Sequence, residues 1–208
     1  MKKIFFLIIW ILTFQTQSLA DNIRYFQIED MSIGDSALDY FSESQLEDNE
    51  QGWHNYNYTE YSTSYVPSKG IYNWFLVSYK NDDNNFTIEA LAAGLEKSNY
   101  DNKKECNNKL DAVALKISEL FKNTAKEKKK FYKLKADAAR TYPFTGKSNV
   151  TSLSFNFLNG AKIILGCYNM DKKAKEDESF LTSILSQNDS FRIEVRSSAF
   201  VNYLEKLN

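Results

Sequence analysis

Ser36 and His54 are the two residues of this sequence whose types could support covalent catalysis, a serine to attack and a histidine to take its proton. Such a pair works only when the histidine lies within hydrogen-bond reach of the hydroxyl and an acid orients its far nitrogen. Ser36 follows Gly34 and Asp35 in "MSIGDSALDYF", while His54, the only histidine of the chain, lies in the polar stretch "GWHNYNYTEY". No pattern after His54 fixes it against the serine. Gly-Asp-Ser is also a local signal for a helix start, because short side-chain oxygens accept from the first unpaired amides of a helix. That reading fits the residues better.

Gly34-Asp35-Ser36-Ala37-Leu38 resembles the N-terminal block of the GDSL-type lipases and esterases, and the resemblance implies a nucleophilic serine near the start of an exported chain. That family takes its histidine from an Asp-x-x-His near the C-terminus, and no histidine follows His54 here. A small envelope hydrolase using Ser36 and His54 is therefore the alternative reading, behind a non-catalytic binding or envelope-accessory module. Trp53, His54, Tyr56 and Tyr58 form the candidate ligand-binding loop, for a peptide or glycan, since aromatics bring large amphipathic contact area. The competing reading sends alternate members of that stretch into a core. In "KEKKKFYKLK", Lys126, Lys128, Lys129 and Lys130 stand beside Phe131 and Tyr132, a composition that suits weak contact with anionic lipid or, more plainly, a solvated helix end. With two cysteines and one histidine the usual structural zinc sites are excluded, and no phosphate loop is present, so no metal or cofactor is expected.

The elements that position these residues begin after "MKKIFFLIIWILTFQTQSLA". Two lysines, an apolar run from Ile4 to Phe14 and a small-residue end at Ser18-Leu19-Ala20 read as an export signal cleaved near Ala20. The run is about half the roughly 20 residues needed to cross a bilayer. Its removal takes Lys2 and Lys3 from the 26 basic groups and nothing from the 27 acidic ones. The remaining near-balance of charge names no polyanionic partner, nucleic acid included. Residues 21–208 suit one domain with a real core, and 15% aromatic content with two prolines argues against extensive disorder. Cys106 and Cys167 both fall in the exported part, where an even pair is most simply a disulfide; two buried thiols are the alternative.

Along the chain, "IRYFQIE" reads as a strand or extended lead-in. Ser32 and Asp35 are spaced for an Asp version of the capping box, ahead of a helix over 33–46 with Ile33, Ala37, Tyr40 and Phe41 on one face. "YNWFLVSYK" and "NFTIEALAAGL", flanking "NDDN", predict a hairpin. A helix over 103–124 aligns Cys106, Leu110, Val113, Ile117, Leu120 and Phe121, and 125–148 is ambiguous, able to extend it as far as Pro143. In "TSLSFNFLNGAKIILGC" a two-residue turn would mix apolar and polar residues on each face. A three-residue loop with Gly160 as the left-handed bulge residue pairs Phe155 with Ile163 and Leu153 with Leu165. It collects Leu153, Phe155, Phe157, Ala161, Ile163, Leu165 and Cys167 on one side. "SFRIEVR" reads as a last strand, and Ser198 as the cap of a short helix carrying Phe200, Leu204 and Leu207. The sum is an α+β single domain, an antiparallel sheet of about five strands with helices mainly on one face.

The stretches "FQIEDMSIGDSALDYFS", "GKSNVTSLSFNF" with "IILGCY", "FRIEVRSSAFVNYL" and the Cys106 helix resemble an uncharacterised family of short exported proteins from marine, AT-rich alphaproteobacteria. The resemblance spans nearly the whole mature chain and implies a bacterial, periplasmic protein. It brings no activity with it. "MSIGDSALDYF" is also similar to the first helix of the small outer-membrane assembly lipoproteins of the BamE type, although no lipid-acceptor cysteine follows this signal.

Overall fold

Alternating apolar and polar residues, which bury one face of a pleated strand, run through most of the computed structural model, which describes residues 23–50, 60–68, 70–96, 103–122, 125–133, 149–169 and 190–207. Among these residues seven strands form one sheet: β1 (Tyr61–Pro67), β2 (Trp74–Lys80), β3 (Ala90–Glu96), β4 (Ala125–Lys133), β5 (Asn149–Phe157), β6 (Lys162–Asn169) and β7 (Ser190–Arg196). Their spatial order is β1-β2-β3-β7-β6-β5-β4, and every neighbouring pair is antiparallel. Three α-helices accompany them: α1 (Glu43–Asp48), α2 (Lys103–Leu120) and α3 (Ser198–Lys206). The fold is α+β, with two more strands than the sequence reading counted.

The inner face of the sheet carries Val77, Leu91, Ala93, Ile193, Val195, Ile163, Leu165, Leu153 and Phe155, all buried in one cluster. Helix α2 lies over it because Cys106, Leu110, Ala114, Ile117 and Phe121 recur at three- and four-residue steps and form one buried stripe. Phe121 meets Phe157 edge-on, ring centroids 4.9 Å apart. Cys106 and Cys167 are joined by a disulfide, which ties the first turns of α2 to β6. Each large side chain buried here stabilises the fold by about 1.5–3 kcal/mol. Helix α1 packs on the same face, with Leu46 wholly buried and its carbonyl accepting from Ser64 Oγ at 2.6 Å.

The β5–β6 hairpin has the bulged three-residue loop. Leu153 pairs with Leu165 and Phe155 with Ile163, Gly160 has φ +90°, and Phe157 N donates to the Ala161 carbonyl at 3.0 Å. Strands β2 and β3 also pair as expected, but residues 81–89 join them, longer than a tetrapeptide turn. Asp83 organises that connection by accepting from Asn85 N and Thr87 N at 3.0 and 2.9 Å, and Ile88 leaves it to pair with the N-terminal segment.

Several local expectations are corrected. Residues 23–29 hold a short 3-10 turn, Ile23–Tyr25, in place of a strand. No single helix spans 33–46: Gly34 at φ +91° bends the backbone toward Ile88, and only a 3-10 turn, Ala37–Asp39, precedes α1. Ser32 N does donate to Asp35 Oδ2 at 2.8 Å, yet that aspartate closes a turn. The reciprocal capping box belongs to Ser42 and Gln45 at the start of α1. Helix α2 stops at Leu120, which is exposed, and Ala114 joins the buried stripe with Val113 partly buried beside it. The lysine-rich stretch after it is not a helical extension but the edge strand β4, paired along its length with β5. Ser197, one residue earlier than expected, caps α3 by accepting from Phe200 N at 3.0 Å, and Leu207 lies on the surface.

Candidate functional site

The second face of the sheet carries the site. Successive residues of a strand point to opposite faces, so burying Phe191, Ile193 and Val195 turns Arg192, Glu194 and Arg196 outward along β7. Most of their cross-strand neighbours are small or apolar: Gly94 and Gly166 flank Arg192, Ala92 and Ile164 flank Glu194, and Ala90 and Lys162 flank Arg196. A low floor results, and two aromatic rings fill the space above the glycines. A Cβ at Gly94 would overlap the Trp74 indole, and one at Gly166 would come within 2.7 Å of the Tyr168 ring.

Those rings fix Arg192. Its guanidinium lies 3.9 Å from the centroid of Tyr168 and 5.6 Å from that of Trp74, close enough for cation–π attraction, while Nε donates to Ser190 Oγ at 3.0 Å. Two residues along, Arg196 forks onto Glu194, with Nε and Nη2 at 2.5 and 2.9 Å from the carboxylate oxygens. The opposite wall is α3, whose Phe200 and Tyr203 pack on Tyr61 and Ala90, Phe200 meeting the Tyr61 ring edge-on at 5.1 Å. Lys162 and Glu205 join α3 to β6 at 3.0 Å, and the Ser197 hydroxyl donates to Glu89.

Between these walls lies a partly enclosed groove of about 260 Å3, floored by Leu76, Ala92 and Ile164 and bounded by Trp74, Arg192 and Phe200. Burial, with Glu89 and Glu60 nearby, pushes the Tyr61 phenol up to about 12, so that wall is uncharged at neutral pH. Arg192, Arg196 and Glu194 line the groove beside Thr63, Ser78 and the apolar side chains. The arrangement suits binding.

The residues singled out from the sequence are described only in part. Trp53, His54, Tyr56 and Tyr58 lie outside the described residues, so the separation of Ser36 from His54 does too. Ser36 is a capping residue: its hydroxyl donates to the Asn85 carbonyl at 2.7 Å and accepts from Leu38 N at 3.2 Å. Lys126, Lys128, Lys129 and Lys130 occupy edge strand β4, at positions paired with Asn156, Ser154, Leu153 and Ser152. Among the described residues, no cluster of three His, Cys, Asp or Glu side chains could hold a metal ion, and no helix is long and apolar enough to cross a membrane. The groove is not singled out as a site by the sequence reading, although two signals are present. "RIEVR" alternates charge with apolar residues, and "ALAAG" puts small residues at alternate positions.

Comparison with protein-family models, with curated proteins and with solved structures finds no match to this chain.

Proposed function

We propose that this is an exported, periplasmic or secreted binding module without catalytic chemistry, and that its ligand occupies the groove between the Trp74–Arg192–Tyr168 stack and α3. The groove itself carries the reading. Ala90 and Ala92 keep part of the floor low where the walls are large, so a sheet face that could have been covered by its own side chains is left concave. Pockets of this kind, mostly apolar with a few fixed polar groups, are the usual form of small-molecule sites. Export is supported by the N-terminal sequence and by the disulfide, since disulfides persist in oxidising compartments. The non-catalytic part of the reading rests on Ser36, whose hydroxyl is committed to Asn85 and Leu38.

Ala92→Leu tests the site, because it adds three carbons to an outward-facing floor position and touches nothing in the inner core. Ligand-observed NMR of the mature protein against a set of apolar acids, amides, sugars and short peptides should give at least one binder whose signal the variant abolishes. The same binders, equally bound by Ala92→Leu, would remove the groove from the account.

A further inference from the structure

Resting on the reading of the groove as a ligand site, we infer that its ligand is a compact uncharged molecule, largely hydrocarbon, with one hydrogen-bond-accepting oxygen such as an aromatic ketone carries. That oxygen meets the hydroxyl pair of Thr63 and Ser78 on the β1 side of the groove, and the hydrocarbon part lies over Leu76, Ala92 and Ile164.

Charge, hydrogen bonding and size each narrow the class. The three charged residues that line the groove are all partnered. Arg196 forks onto Glu194, while Arg192 stands against Tyr168 and Trp74, donates to Ser190 and has further interactions besides. Beside the lining, Lys162 pairs with Glu205, and Glu89 accepts from Ser197. An ionic ligand would lose its water with no unpartnered charge in the lining to receive it, a cost that an uncharged ligand avoids. The hydroxyls of Thr63 and Ser78 differ. They are cross-strand neighbours 2.8 Å apart, and one donates to the other, so one O–H proton of the pair is left over. Neither hydroxyl has another partner among the described residues. Ser78 is 5% exposed, so a ligand oxygen would satisfy a donor to which water has little access. The remaining floor and the wall of Phe200 and Leu204 are hydrocarbon, which would leave the many hydroxyls of a sugar without partners. A cavity of about 150 Å3 accommodates a benzene-sized molecule, so the groove's 260 Å3 takes roughly ten heavy atoms and no long chain.

Acetophenone, cumene and benzoate are the probes, benzene derivatives of matched size that end in a carbonyl, a hydrocarbon branch and a carboxylate. NMR titration against the mature protein should show saturable acetophenone binding, with benzoate weaker by about tenfold or more because its buried charge finds no compensation. A Thr63→Val, Ser78→Ala double variant replaces both hydroxyls by groups of similar shape. There acetophenone should weaken by about threefold to tenfold and cumene should not, as loss of one neutral hydrogen bond requires. Ala92→Leu should abolish the binding of both. If the double variant does not fold, the infrared carbonyl stretch of bound acetophenone decides, since a hydrogen bond puts it below its position in hydrocarbon solvent. A stretch at the hydrocarbon position, or equal weakening of acetophenone and cumene in the double variant, would overturn the accepting oxygen. Benzoate bound as tightly as acetophenone would overturn the uncharged class, and its loss in Ala92→Leu would still spare the groove. Failure of all three probes would overturn the inference, while the groove itself stands or falls with the Ala92→Leu-sensitive binders of the broader screen.

Discussion

Gly94 and Gly166 show how single residues shape the site. Each lacks a side chain on the outer face, each is overlain by an aromatic ring, and Arg192 lies between those rings. Gly94→Ala should therefore force the Trp74 indole off its place, at a cost of about 1–3 kcal/mol typical of overpacking. Urea unfolding followed by tryptophan fluorescence would measure it; an unchanged midpoint would mean the indole moves freely. Tyr61 gives a pH signature at the same scale. Its phenol is raised to about 12, by burial first and then by Glu89 and Glu60, so the folded chain holds the proton more tightly than the unfolded chain, with its ordinary value near 10. The associated stability is intact below pH 10 and is lost as pH climbs from 10 through about 12. Tyr61→Phe should flatten that fall in the urea midpoint, and an identical pH profile in the variant would contradict it. These details were beyond the sequence reading because they depend on which strands become neighbours. Nothing in "ALAAG" states that Trp74 will stand over its glycine.

Among the elements, those whose signals are local were the legible ones. Only one register of "TSLSFNFLNGAKIILGC" puts Leu153, Phe155, Ile163 and Leu165 on the same side, and the structure adopts it. Helix α2 likewise announces its buried stripe, and with it the approach of Cys106 to Cys167. The lysine-rich strand β4 was illegible for a physical reason: lysine has fair helix propensity, and an edge strand needs only one partner. At an edge, lysines also discourage pairing with other chains. The 33–46 helix failed at Gly34, where pairing with residues 86–88 outweighed a local helical pattern. Replacing both cysteines by serine should lower stability by about 4 kcal/mol if loop entropy dominates, with the β5–β6 hairpin intact. Denaturant titration with and without reductant would measure the loss, and a change below about 1 kcal/mol would mean the inner core alone holds α2 in place.

The whole molecule is a sheet with two unequal faces. Among the described residues, one is packed by α1, α2 and the N-terminal segment around a single large core, and the other carries α3 at one end, with the groove beside it. Among the residues that line the groove, the charged ones, Arg192, Glu194 and Arg196, all stand on β7. The measurement that tests this most directly is a chemical-shift map of the mature protein titrated with a binder from the ligand-observed screen. The account predicts saturable shifts at the Trp74 indole, the Ala92 and Ile164 methyls and the Phe200 ring, with the inner face silent. Shifts centred on Trp53, His54, Tyr56 and Tyr58 would contradict it and return the binding function to the aromatic loop.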